Sequence, residues 1–474
     1  MRKNVSPWLH QLDKERKHVV LEKDIETDVA IIGAGIAGVA TAFYALKHTD
    51  KNVVMLDRFK LAHGATGHNA GQVVTYFERG FASLVEEFGL KMAAEGESAV
   101  EGAWELLDEM YADAGLDIPF SRFIGHGGLT SYQQVLWHLK GNHLRKQAGG
   151  LGPRHMLIAD SASFVKDIPR EYRNLYELVP HARIMELLET EVSDFVAVIS
   201  FQKGCINSAL FCQEVVSYLA KKYADRFALY EHTPVHKILL KHDHAILDAE
   251  SHTVETKRVV LCTNGFESIH IINETGLDID ARYHHLLRGS IGYMSGYLES
   301  MNKEPTAISY YTDPSTGIEN SYFYLTRRPY EYEKGLKHNL ISVGGPDKYV
   351  DESSPYTLED DFPDEAEEKI DAFIRGVYSI DPNKKIDYIF TWHGLMGYTK
   401  NGVRLIGAEP QNPVLLYNLG CNGVGILPSV YGGRKVAAIL DGARLPRAIF
   451  DVPRSDNTAR PTHEPRHSVG ILTT

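Results

Sequence analysis

The chain lacks most of the features that assign a protein to a class at a glance. Its four cysteines, Cys205, Cys212, Cys262 and Cys421, include no CxxC pair. They suit a reducing compartment better than a disulfide framework. There is no long Lys/Arg run and the net charge is −12, which argues against binding driven by nucleic-acid phosphates. Residues 1–20 are too charged for a secretory core. His232, His236, His242 and His244 have no HExxH or comparable spacing, so no metal site is expected. The longest apolar run, Val29 to Leu46, falls just short of the roughly 20 residues a membrane span needs. Three glycines inside it point instead to a buried strand and helix. No membrane span is expected, and the expected location is the cytoplasm.

What the chain does have is length and core. With 474 residues and 43% hydrophobic content it has room for two or three domains at roughly 100–200 residues each. Asp28 to Ile32 is an apolar, β-branched run ending at Gly33, as a buried parallel strand should. A helix is expected from Ile36 to His48, then a second strand from Asn52 to Asp57, which together make a βαβ unit. Phe81 to Ala114 has helical spacing of apolar residues, as does Asn207 to Tyr223. Between His284 and Val350, stretches rich in Tyr, Phe and Ile predict antiparallel strands. The acidic segment Asp351 to Glu368 reads as a solvated face leading into a helix.

Within the βαβ unit, Gly33-Ala34-Gly35-Ile36-Ala37-Gly38 is a GxGxxG turn directly after a strand and opening a helix. The first glycine permits the tight turn, the second lets backbone approach a pyrophosphate, and the third lets helix and strand pack closely. Phosphate charge then sits at the helix N-terminus. Asp57 ends the next strand and is placed to accept ribose hydroxyls. This unit alone leaves NAD and FAD both open.

A second glycine-rich turn follows, "GATGHNAG" at Gly64 to Gly71. Together with Asp28 to Asp57 it resembles the D-amino-acid oxidase superfamily of FAD-dependent oxidoreductases, which includes glycine oxidase, sarcosine oxidase and dimethylglycine dehydrogenase. "TPVHKI" (Thr233 to Ile238), "VVLCTNG" (Val259 to Gly265), "TWHGLMGYTKNG" and "LGCNGVGILPSVYGGRKVAAIL" extend the likeness over nearly the whole chain. The resemblance implies FAD. Its contacts would come from Gly33, Gly35, Ile36, Ala37 and Gly38 in the first turn, and from Asp57 and Arg58 after the second strand. The second turn would add Thr66, Gly67, His68, Asn69, Ala70 and Gly71, then Gln72. The returning strands would add Val235, Thr263, Asn264 and Gly265. The C-terminal blocks would add Gly394, Gly420, Asn422, Gly423, Val424, Gly425 and Ile426. Backbone amides of that last run would face the pyrimidine edge and stabilise negative charge on reduction. Thr66 would hydrogen-bond a phosphate and Asn69 would fix the turn. For His68 the expected role is a hydrogen bond to a phosphate or a neighbouring carbonyl. The alternative is a covalent tether, because dimethylglycine dehydrogenase relatives carry there the histidine linked to the flavin 8α-methyl.

The chain also departs from the family. Glycine and D-amino-acid oxidases clamp the substrate carboxylate with an arginine in a G-x-R-P block, and Met396 stands at that position. Arg327 and Arg404 are the candidate replacement cations. Sarcosine-oxidase relatives carry a flavin-linked cysteine near this block, absent from Gly394 to Thr399, and a lysine over the flavin where Ser342 stands. The latter favours a dehydrogenase over an oxidase. The expected cavity wall is Tyr322, Tyr324, Arg327 and Met396, with Gln72 and Val73 beneath the flavin.

The expectation is therefore a two-domain α/β flavoprotein. A Rossmann-like FAD domain comprises residues 1–115, 196–270 and 386–445. A second domain on a mainly antiparallel sheet comprises 116–195 and 271–385, and a tail 446–474 completes the chain. The expected reaction is oxidation of a primary or secondary amine, or an N-substituted amino acid, to an imine. The substrate is a small molecule, and the electron acceptor is oxygen or another carrier. Two alternatives are a hydroxy-acid or glycerol-3-phosphate-type dehydrogenase, and a flavin-bearing subunit or binding protein acting with a partner.

Overall fold

The computed structural model describes residues 3–453 except 266–267, 281–282, 284–285, 313–321, 351–355, 379 and 382. It is a mixed α/β protein built on two large sheets. The first sheet has a parallel centre. Ile25–Ile32 lies between Val53–Leu56 and the strand His252–Leu261, parallel to both, and Phe227–Tyr230 extends it. These strands read as continuous apolar runs because both faces are covered: Val29 to Ile32 and Val53 to Leu56 are all buried. The strand His252–Leu261 changes partners along its length. Its first half pairs with the hairpin strand Ala245–Ala249, and its second half pairs with Leu415–Leu419. This swap brings the C-terminal segment alongside the first βαβ unit. The helices Ile36–His48 and Ile426–Leu440 pack on each other over this sheet, which is why the first has buried residues all round its circumference.

The second sheet is mainly antiparallel. Its order runs Phe390–Thr399, Leu287–Glu299, Leu336–Tyr349, Phe323–Glu333, Thr306–Tyr311, Phe120–Leu129, Ala197–Ile206, Met156–Ala159, Glu177–Val179. The short strand Gln72–Val74 pairs with Ala197–Ile206.

Three differences from the sequence reading have simple causes. Ala197–Ile206 and Phe390–Thr399, expected inside the FAD-binding pieces, pair into the second sheet, so the chain crosses between layers inside those segments. Phe81 to Ala114 is two helices, Phe81–Phe88 and Leu90–Ala114, because Gly89 adopts φ +78°. The start of the tail is docked: Ile449 and Phe450 are buried and packed with the first core. Residues 454–474 lie outside the described residues. Among the described residues, no helix is long and apolar enough to cross a membrane.

Candidate functional site

Between the two sheets runs a cavity of about 980 Å³. At one end it begins at the first glycine turn, where Gly33 has φ +106° and an added Cβ would lie 2.6 Å from the Cys262 carbonyl oxygen. Only glycine fits that turn. Gly35, Ile36 and Ala37, at the N-terminus of the first helix, open onto the cavity, and so do Asp57 and Arg58. Asp57 accepts from the Ala34 N–H at 2.7 Å and the Phe59 N–H at 2.7 Å. Burial nevertheless pushes its carboxyl up to about 6.

The second glycine turn is tied directly to the first. Thr66 Oγ1 accepts from the Ile36 N–H at 2.9 Å, so its hydroxyl is engaged at the helix N-terminus instead of reaching outward alone. Asn69 Nδ2 donates to the Thr66 carbonyl at 2.8 Å and to Ser208 Oγ at 2.8 Å, while its Oδ1 accepts from the Gly71 N–H at 2.6 Å. The Asn69 carbonyl takes the indole N–H of both Trp8, at 2.6 Å, and Trp392, at 3.2 Å. His68 lines the cavity with its Nδ1 2.9 Å from the Gly64 carbonyl. A carbonyl only accepts, so Nδ1 carries the proton. Burial lowers the imidazole to about 4, which leaves it neutral with its lone pair on Nε2.

Beyond this turn the cavity is lined at every second residue by Gln72, Val74, Tyr76 and Glu78. Tyr322 and Tyr324 face them from one strand, Gly292 and Met294 from another, and Gly394, Met396 and Tyr398 from a third. Gln72 Nε2 donates to Thr326 Oγ1 at 2.8 Å, and the Tyr322 hydroxyl donates to Glu78 at 2.9 Å. Val235, Thr263, Asn264, Val424, Gly425 and Ile426 also line the space, with Ala70, Gly71 and Gly423. Asn264 ties three segments together: its Oδ1 accepts from the Cys421 N–H at 3.1 Å, and its Nδ2 donates to the Leu395 carbonyl at 3.0 Å.

Five residues expected at the cofactor stand behind the wall. Gly38 packs on the Gly33 carbonyl, Gly67 on Leu9, Gly265 on Gly397 and Gly420 on Thr399. Asn422 is buried and accepts from the Thr399 N–H at 2.8 Å. Val73, expected beneath the flavin, is fully buried and does not line the cavity. Arg327 is a clear correction. Tyr322, Tyr324 and Thr326 point to the cavity side, so strand alternation sends Arg327 to the opposite face. There it donates to Glu189 at 2.6 and 2.7 Å and to the Tyr378 hydroxyl at 2.7 Å. Arg404 does line the cavity, but its Nε and Nη2 are held by the Asn418 side chain and carbonyl at 2.7 and 2.8 Å.

The sequence reading missed Tyr76, Glu78, Tyr398 and Trp8. The first two carry a usable signal, because "QVVTYFE" continues the period-two pattern from Gln72. Trp8 carries none; its place depends on long-range packing.

Two sheets, a Rossmann-type turn and a long cavity leading from it to an antiparallel wall define a dinucleotide-binding oxidoreductase fold. The family model described as DAO, FAD dependent oxidoreductase, matches residues 28–439, and the chain belongs to this family. Glycine oxidase from Geobacillus kaustophilus is 16% identical and superposes with a TM-score of 0.63, covering 91% of this chain and 99% of that one. L-proline dehydrogenase from P. horikoshii is 15% identical with a TM-score of 0.65, covering 91% and 97%. L-alpha-glycerophosphate oxidase from Mycoplasma pneumoniae is 14% identical with a TM-score of 0.61, covering 90% and 98%. At such identities the likeness is one of fold. YhfW of Bacillus subtilis (strain 168), described as a Rieske 2Fe-2S iron-sulfur protein, is 30% identical over 97 residues, or 20% of this chain. The chain spans about a fifth (19%) of the length of that curated relative.

The residues present fit FAD. Gly33 admits no side chain, and an added Cβ at Gly35 would lie 2.9 Å from Thr66 Oγ1, so the two turns form a bare backbone cradle. The cavity then continues past Gln72 to the antiparallel wall.

Proposed function

We propose that this chain oxidises a primary or secondary amine, or an N-substituted amino acid, with FAD held along this cavity. When bound, FAD supplies the two-electron acceptor for the substrate C–H bond. The first turn, Asp57 and the Thr66–Asn69 turn would hold the nucleotide end. Gln72, Met396, Tyr322 and Tyr324 would shape the substrate space and keep water out of it. The substrate loses a hydride from carbon and a proton from nitrogen; the resulting C=N bond is then hydrolysed by water.

The observation that carries this reading is the state of the arginines. Met396 presents no cation at the position of the carboxylate clamp, Arg404 is bound to Asn418, and Arg79 is bound to Glu87, to Ser83 Oγ at 2.9 Å and to the Asn401 carbonyl at 2.9 Å; Arg58 and Arg288 also line the cavity, Arg288 lying 4.9 Å from the Tyr349 ring centre. An anion clamped at the Met396 position, whether of a hydroxy acid, a phosphate ester or an amino acid, would need such a cation there, so within the reading the simple amine is favoured over the N-substituted amino acid. Under anaerobic conditions, flavin absorbance should bleach with members of a panel of amines and N-methyl amino acids. Bleaching by hydroxy acids or glycerol 3-phosphate alone rejects the reading.

His68 is proposed as a neutral, non-covalent contact, with its Nδ1 donating to the Gly64 carbonyl. FAD should be released into the supernatant on denaturation; flavin that stays with the protein establishes the tether instead. The iron–sulfur name of the YhfW relative supports an electron carrier, rather than oxygen, as the acceptor.

A further inference from the structure

Beyond Met396, towards the solvent, the cavity wall does carry cations. In the antiparallel register Ser290 stands opposite Met396 and Arg288 stands opposite Tyr398. Arg288, Gly292 and Met294 fall on one face of their strand by alternation, and all three line the cavity. Met396 and Tyr398 line it from the neighbouring strand, and Lys400 lines it from the turn directly after. Arg288 and Lys400 are both exposed, which places them where the cavity opens to solvent. Arg288 lies over the Tyr349 ring, 4.9 Å from its centre. Among the described residues neither cation makes a hydrogen bond or an ion pair. The other cations on the wall are placed differently. Arg79 and Arg404 are bound as described above, and Arg58 follows Asp57 at the nucleotide end. Two carboxylates share the space: Glu78 accepts from the Tyr322 hydroxyl at 2.9 Å, and Asp347 accepts from the Ser290 hydroxyl at 3.4 Å.

The spacing decides which anion these cations can hold. Arg288 stands one same-face pair beyond the Met396 position, about 7 Å along the strands. An anion beside Met396 meets a thioether and no cation. One carried a few methylene groups further reaches Arg288, whose planar fork matches a carboxylate, with Lys400 beside it. Resting on the amine reading above, we infer that the substrate is an amine with a carboxylate at its far end, held at the cavity mouth by Arg288 and Lys400. The amine end then lies inside, past Met396. An ω-amino acid is the preferred class, and an α-amino acid, whose carboxylate is too close to its nitrogen, gains nothing from these cations.

The test uses the FAD-loaded protein and calorimetry with two pairs of ligands, each pair an acid and its neutral amide. The long pair is 6-aminohexanoate and 6-aminohexanamide, and the short pair is glycine and glycinamide. The long acid is expected to bind about tenfold more tightly than its amide, and glycine no more tightly than glycinamide. Arg288→Gln should bring the long pair to within about twofold, while Arg288→Lys, which keeps the charge and loses the fork, should retain part of the preference. Equal binding of the long pair by the wild type overturns the proposal without any variant. A preference for glycine as large as that for the long acid places the anion elsewhere and overturns it too. So does a long-pair preference that survives in folded, FAD-loaded Arg288→Gln. Anaerobic bleaching by 6-aminohexanoate and by hexylamine follows in both proteins. Bleaching by both ligands, with no difference between wild type and Arg288→Gln, sinks the distal carboxylate site and leaves amine oxidation standing. An Arg288-dependent preference in binding, with bleaching by neither ligand, sinks amine oxidation and leaves the carboxylate site standing.

Discussion

At the scale of single residues, the second glycine turn works because polar side chains inside it bind its own backbone. Asn69 uses both ends of its amide: Nδ2 holds the Thr66 carbonyl and Ser208, and Oδ1 holds the Gly71 N–H. Its carbonyl is shared by two tryptophans from distant parts of the chain. Asn69→Ala leaves the Gly71 N–H without its acceptor, while the Thr66 carbonyl keeps the Ser208 hydroxyl at 2.7 Å. The expected cost is about 1–3 kcal/mol of stability, with loss of most FAD on gel filtration, because one orphaned buried group costs about that much. A variant that keeps its FAD and melts within a degree or so of wild type would show the turn to be fixed by other contacts. Thr66 and Asn69 stand out in the sequence because glycine, alanine, threonine and asparagine in one short run can only be a backbone-led turn. Which backbone they bind was not legible. Thr66 reaches Ile36 across thirty positions of sequence, and that proximity is a product of strand pairing and helix packing rather than of local preference.

At the scale of elements, the period of the hydrophobic pattern decided what could be read. The first strand, the glycine turn and the following helix were legible because a continuous apolar run and a 3.6-residue period are strong local signals. The antiparallel wall was legible as strands, but not as faces: one residue of error moves a side chain through the sheet. Arg327 shows the consequence. Counted from Tyr322 and Tyr324, it falls on the outer face, where Glu189 and Tyr378 bind it. Burial lowers the guanidinium's affinity for its proton, yet the Glu189 and Tyr378 contacts outweigh that effect and hold it charged. This cluster fastens the ends of the helices His181–Leu188 and Asp364–Val377 to the sheet. Arg327→Met should cost about 2–3 kcal/mol, less than for a fully buried pair because Glu189 keeps 25% of its side chain exposed. FAD content should stay at the wild-type value. Loss of FAD with unchanged melting would return Arg327 to the site.

At the scale of the whole molecule, the layers bury titratable groups behind the cavity wall as well as in it, and these set how the fold answers to acid. His138 is the clearest case. It is 5% exposed on the helix Tyr132–Ala148, packed edge-on against Trp137 and Phe201, and its Nε2 meets no hydrogen-bond partner among the described residues. Burial, aided by the Arg154 charge, lowers its pKa to about 3 from the usual 6.5. The folded state therefore stays neutral at His138 while the unfolded chain takes up a proton as pH falls below 6.5. Its contribution to stability is complete above pH 6.5 and is lost between there and about 3, at up to about 1.4 kcal/mol per pH unit. Between pH 6.5 and 5 that amounts to roughly 1.5 kcal/mol from this one side chain. His126, lowered to about 4 by burial and the Lys203 charge, adds a second term of the same sign. His138→Leu, similar in volume and apolar, should melt higher than wild type at pH 7.5, by about 1 kcal/mol, because a buried acceptor with no partner is removed. The gap between the two proteins should widen as pH falls to 5, measured by thermal melting of the FAD-loaded forms. A gap that stays constant with pH, or a variant that is less stable at both, would place a hydrogen bond or a proton on His138 in the folded state.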